Sequence, residues 1–296
     1  MTSTTSTTSR RRVAIVGPGR VGTLLAVALS RAGHRTVAVA GGSEASREHV
    51  VALVAGCRPH GDVVAAAADA DLVVIATPDD AIERVVTDLA RSDVLHEGHR
   101  VVHVAGSRGL APLHRAALCG AGVAACHPAM TVPTGASDPD LLVGTPWAVT
   151  ASATDRAWAR DLVADLGGDP HDVDDDVRGL YHAGLTVGSN AAAAAVVVAR
   201  QLLLGARIDD PAAFLGPLVA RSVDNAMTTG AAALTGPVVR GDVGTVAAHL
   251  DVLAADVPDL LEAYRDLARV LLGRVRAELS PGAAAELDVL LAPRTS

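Results

Sequence analysis

Lysine is missing altogether: all 25 basic residues of this 296-residue chain are arginine. No ammonium side chain is available as a proton donor, so any acid–base step falls to another group. Together with the abundance of alanine, this points to a GC-rich coding sequence. Aromatic residues are nearly as scarce, with two tryptophans, two tyrosines and one phenylalanine, too few for a platform on which bases stack. The net charge of −8 supplies no basic stripe to neutralise phosphates. Nucleic acid is therefore set aside as a partner.

Cysteine is rare too. Cys57, Cys119 and Cys126 form no CxxC pair, and each lies in or beside an apolar segment; buried thiols in a cytoplasmic, reducing setting are expected. No metal site is expected. No apolar run is long enough to span a bilayer, so no membrane association is expected either. Arg10–Arg12 could mimic a twin-arginine export signal. However, Gly17–Gly22 with Arg20 interrupts the apolar run, and no small-residue cleavage site follows. The Ser/Thr run at the start has no core pattern, and residues 1–10 are read as a disordered tail.

Half of the chain is hydrophobic and only 20% is charged, enough apolar surface for one large or two ordinary domains. The stretch that orders it is Val13–Gly22, VAIVGPGRVG. Four aliphatic residues run into Gly17, Gly19 and Gly22 in G-x-G-x-x-G spacing, with Arg20 and Val21 between the last two, and an apolar helix follows. Such a turn lets backbone approach a diphosphate at a helix N-terminus. A G-x-G-x-x-G alone is weak, but the strand before it, the helix after it and a second strand at Thr36–Ala40 give the required context.

Further strands are read at Asp71–Ala76, Val101–Ala105, Gly122–Cys126, Pro146–Thr150 and Pro170–Val173, with helices between them. Continuous aliphatic strands alternating with helices mean a doubly wound parallel α/β sheet, covered on both faces. After Asp174 no strand is evident. Helices are expected at about Val177–Gly205, Pro211–Thr229, Val243–Ala255, Pro258–Leu279 and Pro281–Leu291, with Asp210 and Ser280 as caps ahead of proline. Residues 11–175 are thus assigned to a dinucleotide-binding domain and 176–296 to an all-helical one.

Ligands of open parallel sheets bind beyond the carboxyl ends of the strands. Those ends put Thr77, Pro78 and Ser107 along a cofactor, although each could be an ordinary turn residue. The second strand ends Ala40-Gly41-Gly42-Ser43 without the carboxylate that would hold an adenosine ribose. Ser43 and Arg47 could instead take a 2′-phosphate, which favours NADP over NAD. Arg47 could equally be a solvated helix residue.

In YHAGLTVGSN, residues 181–190, His182, Thr186 and Ser189 fall on one face of an apolar helix, with Asn190 beside them. Such a polar stripe must face water or a polar cleft. His182 could donate a proton and Asn190 hold a substrate oxygen. His127 competes for the acid role from the end of its strand, unless it merely caps that strand. Arg240, next to a helix capped by Asp242, is a candidate carboxylate clamp, or else a partner of Asp242.

VAIVGPGRVG, DLVVIATPDDAI, VVHVAGSRGL, CHPAMT, LYHAGLTVGSN and LTGPVVRGD occur in this order. With them the chain resembles a bacterial two-domain Rossmann family whose C-terminal helical domain has no assigned function. More distantly it is similar to the 6-phosphogluconate dehydrogenase superfamily, which includes ketopantoate reductases and pyrroline-5-carboxylate reductases. Several members open the helical domain with G-x-x-x-K-x-x-x-N, whose lysine is the general acid. With Asn190 as that asparagine, Thr186 stands at the lysine position and His182 at the glycine, so the lysine mechanism does not transfer. The resemblance implies an NADPH-dependent reductase of a small oxo acid, possibilities including ketopantoate. It leaves open an imine reductase of the pyrroline-carboxylate type and a dinucleotide-binding regulator without turnover. By analogy a homodimer is expected, since related helical domains dimerise.

Overall fold

Four consecutive aliphatic residues, Val13–Val16, are too apolar for a surface, and in the computed structural model all four are fully buried in the middle of a sheet. The structure describes residues 10–293, so the tail expected at 1–10 lies, except for Arg10, outside the described residues. The chain divides into two units, Met1–Leu185 and Thr186–Ser296.

The first unit runs β1 (Arg12–Val16), α1 (Arg20–Arg31), β2 (Arg35–Ala40), α2 (Glu44–Leu53), β3 (Arg58–His60) and α3 (Val63–Ala67). It continues β4 (Leu72–Ile75), α4 (Ile82–Arg91), β5 (Arg100–His103), α5 (His114–Leu118), β6 (Gly122–Pro128), β7 (Pro146–Ala151), α6 (Arg156–Asp165) and β8 (Asp169–Asp172), then enters α7 (Arg178–Thr186). The strands form one sheet in the order β3-β2-β1-β4-β5-β6-β7-β8. After β3 the chain crosses back to the far side of β1, so the winding reverses between β1 and β4. Beyond the carboxyl ends of those two strands lies the crevice in which such sheets hold ligands.

Strand periodicity sorts the core into two layers. Val13, Ile15, Val74 and Val102 pack with α1 and α6 on one face, while Val16, Val73, Ile75 and Val101 pack with α4 on the other. Every neighbouring pair is parallel except β6 and β7, which run antiparallel from Ala124↔Ala151 to Pro128↔Trp147. The segment between them contains a 3₁₀ turn at Pro139–Leu142 and no crossover helix, so the chain can only come back in the opposite direction. Two elements of the first unit leave no pattern to read. β3 is three residues, Arg-Pro-His, pairing with Ala38–Ala40 at the sheet edge, where proline is tolerated. α3 is a single alanine-rich turn and a half, capped by Asp62.

The second unit is helical. A π-helical turn, Val187–Ala191, carries the helix on into α8 (Ala192–Gly205), followed by α9 (Pro211–Thr229), α10 (Val243–Asp256), α11 (Leu261–Val275) and α12 (Pro281–Leu291). Asp210 accepts from the amides of Ala212 and Ala213, Asp242 from Thr245 and Ser280 from Ala283, the capping roles read from the sequence. Its core joins Val246 and Leu250 of α10 to Ala268 and Leu272 of α11 and to Leu287 and Leu291 of α12. In α8 no residue is buried, and in α9 only Pro211 is.

The structure corrects the expectation that no segment could span a bilayer. The continuous helix Asp175–Gly205 is long and apolar enough, by length and composition, to cross a membrane. Glycine, serine and asparagine break the apolar run in the sequence without lowering its average enough, and the helix continues through them.

Candidate active site

The glycine turn sits at the sheet's switch point, and backbone crowding dictates its composition. Gly17 has φ +98°, in the left-handed region, and a Cβ on it would come within 2.7 Å of the Ala76 carbonyl oxygen. On Gly22 a Cβ would lie 2.0 Å from the Gly17 oxygen. Gly19 differs: nothing lies within 4 Å of where its Cβ would be, so the turn is open on that side. α1 starts there without a side-chain cap, which leaves its first amides available to an anion. Beside the turn, the Thr77 hydroxyl is buried without a hydrogen-bond partner among the described residues. A buried polar atom of this kind calls for a partner, and a dinucleotide lying over the turn would provide one.

Other sequence candidates are held by local bonds. Arg20 donates from Nη1 to the Val132 carbonyl at 3.2 Å, tying the turn to the β6–β7 connection, and Val21 packs against the core. Ser43 caps α2 by accepting from the Ser46 amide at 3.2 Å. Arg47 donates from Nη1 to the carbonyls of Gly41 and Gly42, at 3.2 and 3.0 Å, which lays its guanidinium over the loop after β2. Pro78 precedes the short turn Asp79–Ala81. Ser107 donates to the Asp79 carboxylate at 2.7 Å and so links the ends of β4 and β5. Asp79 follows the strand-end candidates Thr77 and Pro78 directly, and nothing local in the sequence marks it for a role.

At the ends of β5 and β6 the first unit gathers histidines. His182, on α7, and His127, at the end of β6, stand edge to face with ring centroids 5.8 Å apart. Both lean on Gly106, where a Cβ would meet His182 Cδ2 at 2.3 Å and His127 Nε2 at 3.0 Å; only glycine leaves room for the pair. Tyr181 Oη is 3.0 Å from His127 Nδ1. Burial, Arg178, His182 and His103 together push His127 down to about 4 against an opposing pull from Asp79, so at neutral pH its ring is uncharged. His103, fully buried and bonded through Nε2 to the Gly109 carbonyl at 2.9 Å, is likewise lowered to about 4, chiefly by burial.

Beneath this cluster lies Arg178, which is 1% exposed. Its guanidinium donates to Ala105 O at 2.8 Å, to Thr150 Oγ1 at 2.8 Å and to Ala125 O at 3.3 Å, clamping the ends of β5 and β6 to the start of α7. Nothing in the local sequence marks it, since one arginine at a helix start reads as solvated. Asp175 accepts from the Leu110 amide at 2.7 Å and fixes the loop after β5. The first unit ends at Leu185, so His182, assigned by sequence to the helical domain, is part of it.

Thr186 ends α7, and Ser189 and Asn190 lie exposed on the π-helical turn. Arg240, exposed in the loop before α10, adds to the pull of Thr245 in lowering the Asp242 carboxyl. These four belong to the second unit.

Sheet, glycine turn and strand-end histidines define a Rossmann-like domain joined to a helical C-terminal one. Residues 1–128 match the family model of a Rossmann-like domain, and residues 145–271 match that of a domain of unknown function, DUF2520. The chain is therefore a two-domain protein of this Rossmann-plus-helical type. Its fold is similar to that of a Bacteroides fragilis protein provisionally named an NADP oxidoreductase (TM-score 0.72, 23% identity, 88% of this chain and 98% of that one). It is also similar to an imine reductase from Myxococcus stipitatus in complex with NADP+ (TM-score 0.61, 20% identity, 94% and 92%). A third likeness is to a reductive aminase from Aspergillus terreus in complex with NADPH and ethyl levulinate (TM-score 0.60, 19% identity, 96% and 93%). No curated protein matches the sequence.

Proposed function

We propose that the protein is an NADPH-dependent reductase of a small oxo acid, with ketopantoate the first substrate to test. The observation that carries this reading is the meeting of the open glycine turn and the buried, unpartnered Thr77 hydroxyl at the switch point of the sheet. Gly17, Gly19 and Gly22, with Arg20 and Val21, would hold the diphosphate, while Ser43 and Arg47 would face the 2′-phosphate. Thr77, Pro78 and Ser107 would border the nicotinamide half. Bound there, the nicotinamide supplies a hydride to a carbonyl or imine carbon. The chain's own part is to orient the acceptor and give its heteroatom a proton, which falls to the His127–His182 pair. Asn190, Thr186, Ser189 and Arg240 are proposed to bind substrate, Arg240 through a carboxylate.

An imine substrate of the pyrroline-carboxylate type is the second reading, favoured by the fold neighbours named as imine reductase and reductive aminase. We also propose a homodimer, because α8 and α9 expose Val197, Leu204, Phe214, Leu218, Val223 and Met227, apolar side chains of the kind that partners cover.

Calorimetric titration with NADPH and NADH, followed by NADPH oxidation with ketopantoate or pyrroline carboxylate, tests the proposal. NADPH binding with turnover of either acid supports it. Failure to bind either nucleotide overturns it, and binding without turnover leaves the regulator.

A further inference from the structure

We propose that Tyr181 feeds protons to His127, so that phenol, imidazole and the heteroatom being reduced form one relay; this rests on the reductase reading above. The geometry starts at Tyr181 Oη, 3.0 Å from His127 Nδ1. The other ring nitrogen, Nε2, faces Gly106 at the end of β5, where a Cβ would stand only 3.0 Å from it. The His182 ring crowds the same position, its Cδ2 2.3 Å from it, so Nε2 stands at the strand ends between Gly106 and His182. The imidazole thus has the phenol at Nδ1 and the end of β5 at Nε2.

The charge of the ring makes the phenol necessary. The groups facing His127 are Arg178, His182, Asp79, His103 and Tyr181, and burial with the cationic and imidazole neighbours keeps the ring neutral at physiological pH. A neutral imidazole gives up its Nε2 proton readily only when Nδ1 takes one up, and the phenol is the donor placed there. Burial holds the Tyr181 phenol above its ordinary value, and Arg178, one helical turn before it, offsets part of that rise.

The step balances. On hydride addition to the acceptor carbon, which a reduced nicotinamide bound at the glycine turn would supply, the C=O π pair moves onto oxygen. The His127 Nε2–H bond breaks towards that oxygen while the Tyr181 O–H bond breaks towards Nδ1. The products are alcohol, phenolate and the Nδ1–H tautomer of His127. A solvent proton entering at Nε2 then sends the Nδ1 proton back to the phenolate, for a net uptake of one proton from water. With an imine, nitrogen replaces oxygen.

Nitrogen-15 NMR of the full-length protein, without nucleotide, reads the tautomer directly. The relay requires His127 to carry its proton on Nε2 with Nδ1 accepting, and Tyr181→Phe should shift the Nδ1 resonance towards that of a non-bonded nitrogen. A wild-type ring protonated on Nδ1 overturns the relay, whatever the cofactor or substrate. In turnover, Y181F should lower kcat roughly 100-fold while NADPH Kd and the melting temperature stay at wild-type values. An unchanged kcat in a variant that still binds NADPH also overturns it. Failure of the wild-type protein to bind NADPH would instead sink the reductase reading, and with it the relay's role in reduction, while the NMR result would still decide whether Tyr181 donates to His127.

Discussion

Gly22 passes so close to Gly17 that a methyl group on it would overlap the Gly17 carbonyl oxygen, with 2.0 Å between them. Gly19, three residues earlier, has open space where its side chain would be. The two glycines therefore differ: packing requires Gly22, whereas nothing among the described residues crowds Gly19.

This separates their substitutions. Gly22→Ala forces backbone apart and should destabilise the fold by on the order of 2–3 kcal/mol. Gly19→Ala should leave the melting temperature within a degree or two of wild type and still weaken NADPH binding at least tenfold, because the added methyl projects into the space the diphosphate needs. Thermal unfolding and nucleotide titration on both variants check this. A G19A protein that binds NADPH normally would show that the turn is not the phosphate site.

Arg47 is pinned to the carbonyls of Gly41 and Gly42 through Nη1, which leaves the rest of its fork for a phosphate. Losing one charge-assisted hydrogen bond costs about 1.5–3 kcal/mol. Arg47→Ala should therefore reduce NADPH affinity by roughly tenfold or more and leave NADH affinity unchanged. An equal loss for both nucleotides would place Arg47 in loop stability alone.

His103 and His127 are both lowered from 6.5 to about 4, burial being the first cause for each. The native state holds them neutral, whereas the unfolded chain protonates them as the pH falls below 6.5. Between pH 6.5 and 4 the unfolded state therefore binds more protons, and stability drops with falling pH. Above 6.5 these two rings contribute no slope. At about 1.4 kcal/mol per pH unit for each ring, the loss amounts to several kcal/mol. Denaturant unfolding across this window should show it, and His103→Asn should flatten the curve by about half. A curve of unaltered steepness in that variant would contradict the assignment.

α8 and α9 expose apolar side chains, Phe214 and Leu218 being 61% and 63% exposed. Sedimentation velocity should find a dimer at micromolar concentration, and Leu218→Glu should convert it to a monomer, because burying an unpaired carboxylate costs several kcal/mol. A wild-type monomer would remove the homodimer from the proposal.

Much of the first unit is legible in the sequence because its strands are continuous aliphatic runs and its turn carries glycines at a fixed spacing, both local signals. Edge strand β3 escapes such reading because Arg-Pro-His has no apolar pattern, its pairing being set by the register of Ala38–Ala40. His127 and His182 stand out as separate candidates from strand end and helix face. Their meeting over Gly106, with Tyr181 behind, joins residues far apart in sequence and needs the folded chain.

The sequence by itself determined the sheet, the glycine turn, the helical second half and the exclusion of a lysine acid, since these depend on residue type and short-range spacing. Only the tertiary structure decided that Arg178 is buried beneath the strand ends, that the two histidines share one glycine, and that the phenol of Tyr181 bonds to one of them. Packing brings β5, β6 and α7 together there and removes water from the charges between them. The protonation of His127 follows from that enclosure, which no local pattern encodes.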